Sequence, residues 1–316
     1  MISDVFLEKL KFYVIIYKTE VKSIMKIKKW LFENASALAG KTVAISGATG
    51  GIGRELCTHL ATLGANILTM DRNSTRSLAL CEKIKAEFPS VSASHVHLDL
   101  SDIDSVNECI AYLKKNTPDY IILNAGIYHV PLTECNMGYN NVFSINFVSP
   151  YLICRAMQDD IKKLGGKIVA VGSIAHAYSK VCHTDIDFSK RKKSSLIYGN
   201  SKRYLMYGIF ETCDTECVSV AHPGITLTNI TAHYPKIIFA LIKYPMKVIF
   251  PSAKVASLSI IKAMVEKSAP YEWVGPRLFD VWGMPKLKKL KRPNAEEVKT
   301  VACVCEDIAA KIKYKN

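Results

Sequence analysis

The chain lacks any Cys-x-x-Cys pair and any zinc-type Cys or His spacing, and its 28 acidic residues are outnumbered by 42 Lys and Arg. The 10 cysteines are scattered, the closest pairs being Cys303 with Cys305 and Cys213 with Cys217. Neither a disulfide framework nor a redox dithiol is therefore indicated, and reduced thiols in a cytoplasmic setting are expected. No Gly/Ser-rich or Pro-rich linker divides the chain, and no internal repeat is visible, which excludes a solenoid or an array of modules. Apolar runs are short. Residues 12–17 are too few for a secretory core, although Ala35-Ser-Ala37 looks like a cleavage site, so export is not expected. The stretch from Pro235 to Phe250 is apolar but too short, and too broken by lysines, to span a bilayer. Net charge is +14, concentrated in the lysines before Trp30, in 190–193 and in 286–292. These clusters lack interleaved aromatic or base-reading side chains, so nucleic acid is not the expected partner.

What is present is alternation. At 316 residues and 49% hydrophobic content the chain can bury one large core. A β-branched run at 41–46 precedes a helical pattern of Ile52, Leu56, Leu60 and Leu63, and 65–70 is a second strand. The series continues with a helix over 74–88, a strand ending at Leu100, a helix over 102–115 and a strand over 119–124. A long helix around 134–163, a strand over 167–172, a helix through Tyr198, a strand over 217–221 and a last strand over 271–275 complete it. Strand and helix in strict turn imply an α/β fold with a doubly wound parallel sheet in three layers, joined by right-handed crossovers.

Two local motifs carry chemistry. Gly47, Gly51 and Gly53 lie between the first strand and the first helix, where glycine allows positive φ and close backbone approach. The free N–H groups at such a helix start can meet a pyrophosphate. Asp71, about twenty residues on at the end of the second strand, is placed to accept both ribose hydroxyls of an adenosine. Tyr198 and Lys202, four apart on a helix, share one face. At about 4 Å and an effective dielectric of about 20 the ammonium would stabilise a phenolate by about 4 kcal/mol, lowering a phenol pKa of about 10 by roughly three units. That suits acid/base work near neutral pH. Taken singly, each motif also has a bland reading: a surface Tyr/Lys pair, a strand-end turn at Ser173, or a locally bonded helix Asn at 146.

Taken together, in order, these residues resemble a short-chain dehydrogenase/reductase of the single-domain Rossmann type over roughly residues 40–285. The G-x-x-x-G-x-G turn has Ser46 where Thr is usual. Asp99 and Leu100 match the adenine-contacting strand end, and Asn124-Ala125-Gly126 matches the segment after the fourth strand, with Leu123 in place of a frequent Asn. The resemblance implies a catalytic set of Asn146, Ser173, Tyr198 and Lys202. It assigns nicotinamide adenine dinucleotide to Ser46, Gly47, Gly51, Ile52, Gly53, Asp71, Arg72, Asp99, Leu100, Asn124, Ala125, Gly126, Tyr198, Lys202, Pro223, Gly224, Ile225 and Thr228. Hydride would pass between the nicotinamide and a carbonyl carbon whose oxygen is held by Ser173 and Tyr198, while Asn146 positions a relay water. Asp71 favours NAD(H); Arg72, beside it, keeps NADP(H) as the alternative.

The 19 residues from Ala175 to Lys193 form a longer insert than is usual and resemble the retinol-dehydrogenase-like branch, which implies an apolar alcohol or carbonyl substrate. The insert gathers His176, Cys182, His183, Asp185 and Asp187, but without metal-ligand spacing it is expected to be a solvated loop rather than a metal site. Residues 225–251 are expected to form a substrate lid, with contact to an anionic membrane surface as the alternative. Residues 1–39 are expected to be a basic and apolar extension, with Met25 an alternative start, and 286–316 a basic helical tail. The resemblance further implies a homodimer or homotetramer assembled through the Tyr198 helix. An epimerase or dehydratase of the same fold, and a nucleotide sensor without turnover, are the rival functions.

Overall fold

The computed structural model describes residues 24–225 and 251–311. Thr228 and nearly all of the expected lid lie outside the described residues. Eight strands form one sheet: β1 Thr42–Ser46, β2 Asn66–Asp71, β3 Ala93–His97, β4 Tyr120–Leu123, β5 Lys167–Val171, β6 Val218–Ala221, β7 Glu272–Leu278 and β8 Trp282–Lys289. Their order is 3-2-1-4-5-6-7-8. All neighbours are parallel except β7 and β8, which form an antiparallel hairpin. The order reverses between β1 and β4, whose ends are in register at Ser46 and Leu123. In a doubly wound sheet that switch point opens the crevice where ligands bind.

Helix α1 (24–35) is followed by α2 Gly51–Thr62, α3 Ser74–Glu87 and α4 Ile103–Lys115. Helix α5 starts as a single turn at Asn141–Phe143, widens to π-helical turns over Ser144–Val148 and runs on through Ser149–Lys163. Helices α6 Ser194–Thr212, α7 Ala253–Val265 and α8 Ala295–Lys311 complete the described set. The central strands β1, β4, β5 and β6 are short, largely apolar runs because both faces are covered, whereas the edge strands β3 and β8 are mixed and partly exposed. One layer, with α4, α5, α6 and α8, buries Leu113, Phe147, Tyr151, Tyr204 and Val301; the other, with α1, α2, α3 and α7, buries Leu31, Leu38, Leu56, Ile84 and Ile260.

Four boundaries differ from the sequence expectation. The long helix begins at Asn141, not near Glu134, because Asn140 caps it, its Oδ1 accepting from Phe143 N at 2.9 Å, while Glu134 pairs with Asn140 as an isolated bridge. The sheet does not stop at Gly275, since β8 carries it across residue 285 to Lys289. The tail is docked: Val301, Val304, Cys305 and Ile308 of α8 are buried against α5 and α6. They cover one face of the Tyr198 helix, through which the resemblance implies subunit contact. The N-terminal extension is also part of the core from Ile27 on, where Ile27, Leu31, Ala35 and Leu38 pack against the α2 layer.

Packing at α1 leads to a first prediction. Ile24 and Met25 are exposed, so removing residues 1–24 should leave melting temperature and nucleotide affinity unchanged. Leu31→Ala, by contrast, should cost about 2–5 kcal/mol, because its side chain is fully enclosed. A large fall in melting temperature for the truncated chain would show that 1–24 contribute to folding.

The insert is a loop only partly solvated: residues 190–193 are exposed while parts of it are anchored in the fold. Phe188 is buried, Asp185 nearly so, and the Asp187 carboxylate accepts from Asn140 N at 2.8 Å while Asp187 O accepts from Asn140 Nδ2 at 2.7 Å. Among the described residues no group of three metal-ligating side chains is gathered. None of the described helices is long and apolar enough to cross a membrane. After β6, the described residues flanking the undescribed segment lie close together: a Cβ on Gly224 would lie 3.7 Å from Pro251 Cγ.

Candidate active site

A cavity of about 650 Å3 follows the strand ends across the switch point. At one end lies the glycine turn. Gly47 has φ of 66°, and a Cβ there would sit 2.9 Å from Ala125 Cα. A Cβ at Gly53 would sit 2.2 Å from Gly47 O, so the turn closes only with hydrogen at both positions. The helix that follows has Gly50 as its N-cap with no side-chain cap, leaving first-turn N–H groups turned to the cavity, which Gly51, Ile52 and Gly53 line. Asn124 ties the turn to the end of β4, its Nδ2 donating to Ser46 O at 3.1 Å and Gly47 O at 3.2 Å. Ser46 itself is buried and does not line the cavity; its hydroxyl accepts from Ala125 N at 3.1 Å. There it braces the two segments.

Asp71 closes this end. Its carboxylate accepts from Thr49 Oγ1 at 3.1 Å and Ser77 Oγ at 3.0 Å, and the side chain is almost fully buried. Arg72 and Arg76, both exposed, line the same end of the cavity. Thr49, Arg76 and Ser77 were not singled out from the sequence; the only signal was their position inside the turn and on the first two turns of α3. Asp99 and Leu100 line the adjacent wall, with one Asp99 oxygen accepting from Ser101 N at 2.9 Å and Ser101 Oγ at 2.6 Å.

The other end holds Ser173, Tyr198 and Lys202, with Ala125, Gly126, Pro223, Gly224 and Ile225 lining its sides. Ser173 follows β5 and lines the cavity beside Tyr198, its Oγ accepting from Ala175 N at 3.2 Å. Lys202 Nζ lies 5.9 Å from the Tyr198 ring centroid and donates to Val171 O at 2.8 Å. Here the expected electrostatics differ. Burial pushes the Tyr198 phenol up to about 12, with Ser173 opposing, and pushes the Lys202 ammonium down to about 8. Both charged forms lose hydration in the crevice, a cost that the helix spacing alone does not reveal. Tyr128 stands edge-on to Tyr198 at 5.1 Å and, with Val130, Ile174 and Tyr178, gives this end apolar walls.

Asn146 is fully buried in the π-helical turn of α5 and does not line the cavity. Its Oδ1 accepts from Ile127 N at 2.8 Å, and its Nδ2 donates to Ile127 O at 2.9 Å and to Ser201 Oγ at 3.2 Å. The amide therefore fastens the segment after Gly126 to the Tyr198 helix. His222, the residue before Pro223, stacks on Trp273 at 5.3 Å, bonds Asp280 O at 3.0 Å, and burial lowers it to about 4.

The profile of the short chain dehydrogenase family matches residues 41–235. The chain belongs to that family. Human retinol dehydrogenase 13 is 26% identical over 207 residues, covering 63% of this chain and 62% of that protein. Mouse retinol dehydrogenase 12 is 28% identical over 204 residues, covering 61% of this chain and 64% of that protein, and human polyprenol dehydrogenase is 24% identical over 207 residues, covering 61% and 63%. These relatives support the retinol-dehydrogenase-like branch, and the match spans a little over three-fifths of their length. Among solved structures, an uncharacterised protein from Mycobacterium paratuberculosis superposes with a TM-score of 0.65 at 21% identity, covering 89% of this chain and 99% of that one. An NADPH-dependent 3-quinuclidinone reductase from Rhodotorula rubra superposes at 0.56 with 19% identity, covering 73% and 86%. At such identities the likeness concerns the fold.

Proposed function

We propose that this protein is an NAD(P)-dependent oxidoreductase that interconverts an apolar alcohol with its aldehyde or ketone. The observation that carries the proposal is one continuous cavity with a glycine cradle and Asp71 at one end and Ser173, Tyr198 and Lys202 together at the other. The cradle fits a dinucleotide: side chains are excluded where a pyrophosphate would approach, and the start of α2 presents N–H groups there. A bound nicotinamide supplies or accepts the hydride. Tyr198 gives a proton to the developing alkoxide in reduction and removes it in oxidation, while Ser173 holds the same oxygen. Lys202, at the shared wall, is placed to hold the nicotinamide ribose and to offset charge on the phenolate. Asn146 acts by fixing the backbone at Ile127. The apolar walls at Tyr128, Val130, Ile174 and Tyr178, and the retinol and polyprenol named for the relatives, favour a long apolar substrate. A homodimer or homotetramer would assemble through a face other than the one α8 covers.

NAD(H) is the favoured cofactor. Thr49 and Ser77 aim the Asp71 carboxylate, which retains acceptor capacity for ribose hydroxyls and repels a 2′-phosphate. Arg72 and Arg76 can swing to meet that phosphate, so NADP(H) is also used. Asp71→Ala should shift the ratio of kcat/KM toward NADP(H). Steady-state constants for both cofactors, with a panel of apolar alcohols and carbonyls followed by absorbance of the reduced nicotinamide, test the reading. A wild-type enzyme that clearly prefers NADPH would show that the arginines set the choice. Absence of turnover with every substrate, despite nucleotide binding, would favour a sensor.

A further inference from the structure

We propose that Arg203 and Glu297 form a buried clamp that sets Ser173 against Tyr198, making the C-terminal helix part of the active-site assembly. The two residues come from α6 and α8, and their side chains are only 11% and 8% exposed. The guanidinium grips the carboxylate with two donors, Nε to Oε1 and Nη2 to Oε2, the latter at 2.7 Å. Such a fork is directional as well as strong. An ion pair serving only to join two helices would need nothing more. This one spends its remaining capacity on the segment that follows Ser173. Arg203 Nη1 donates to His176 O at 2.9 Å, and Glu297 Oε1 accepts from Val181 N at 3.1 Å.

His176 passes the constraint to Ser173. Its backbone N donates to Ser173 O at 3.1 Å, and its ring Nδ1 lies 2.7 Å from the same oxygen. A carbonyl can only accept, so Nδ1 carries the hydrogen. Edge-on contacts to Trp273 at 5.6 Å and Tyr207 at 6.0 Å hold the ring in place. The facing part of α6 is shaped for this contact: a Cβ at Gly199 would lie 2.5 Å from Ala175 O, and Ser179 Oγ donates to Leu196 O at 2.9 Å. Gly199 adjoins Tyr198, and Arg203 lies one turn further along the same helix face. The hydrogen-bonded path Glu297, Arg203, His176, Ser173 therefore returns to the helix that carries Tyr198. Arg203 and Glu297 touch no reacting atom and are positioning residues.

The role in turnover rests on the proposed function, whereas the ordering of 174–181 does not. The test compares Glu297→Gln, Arg203→Lys and the double variant Arg203→Met with Glu297→Leu, which removes both charges together and keeps the site filled if a single variant fails to fold. Turnover, nucleotide affinity and amide hydrogen exchange are measured on the full chain. Because a misplacement of about 1 Å can cost about a hundredfold, kcat should fall roughly tenfold to a hundredfold. Nucleotide Kd should be unchanged, and exchange should rise in 174–181 but not in the glycine turn. Folded variants with wild-type kcat and wild-type exchange in 174–181 would overturn the clamp. If the wild type turns over no substrate, the functional proposal fails, and the exchange result alone still decides whether the clamp orders the segment.

Discussion

Tyr198→Phe should bind nucleotide as the wild type does and lose turnover by about 10²–10⁴-fold, the usual contribution of a positioned proton donor. The substitution removes one oxygen and leaves the ring against Tyr128 and over Lys202. Ser173 then faces the substrate oxygen alone and cannot supply a proton through a group of matched acidity. Burial holds the Tyr198 phenol near 12 and the Lys202 ammonium near 8, so each charge is costly unless the other is present. A phenolate forming in the oxidative direction would draw on the ammonium nearby, which is why Lys202→Met should impair both turnover and nucleotide binding. Single-turnover hydride transfer, with nucleotide affinity measured separately, distinguishes these outcomes. Comparable turnover in wild type and Tyr198→Phe would sink the mechanism.

Gly53→Ala should be nearly as damaging, through binding rather than chemistry. The added carbon would lie 2.2 Å from Gly47 O and 2.8 Å from Ala48 Cα, both backbone atoms that cannot rotate away. Gly47 O also accepts from Asn124 Nδ2, so displacing it loosens the tie between the turn and β4. Overpacking of this kind costs about 1–3 kcal/mol, and carried into binding it amounts to roughly tenfold to a hundredfold in nucleotide Kd. Gly50→Ala is the control: its φ is negative, and its Cβ would meet only Gly47 O, at 3.2 Å. Nucleotide titration followed by fluorescence or calorimetry reads the difference. An unchanged Kd in Gly53→Ala would mean that the turn does not cradle the dinucleotide.

The glycine turn, Asp71, Ser173 and the Tyr198 and Lys202 pair are legible in the sequence because each depends on spacing within a strand end or a helix turn. The strand series is legible for the same reason, apart from its last member. Strand β8 carries three lysines and Pro285 and is fixed by pairing with β7, which no local pattern announces. The start of α5 depends on Asn140, whose amide is held by Asp187 from the insert some forty residues on. Docking of α8 likewise becomes visible only when Val301 and Ile308 meet Tyr204 across the fold. Asn146 illustrates a different limit: the resemblance marks the position, but the side-chain bonds to Ile127 and Ser201 from within a π-helical turn appear only in the assembled fold. The phenol and ammonium shifts follow from burial, a property of the assembled crevice and not of a four-residue interval.

Gly224 and Pro251 stand side by side, one before and one after residues 226–250. The described chain therefore leaves β6 and returns toward α7 at one point beside the cavity. Closing a flexible loop twice as long costs only about 0.6 kcal/mol more. Sequence drift there is cheap for the scaffold, while the glycine cradle and Ser173 sit on elements that tolerate little. The scaffold thus sets apart positions where a change is cheap from those where a single methyl group is not.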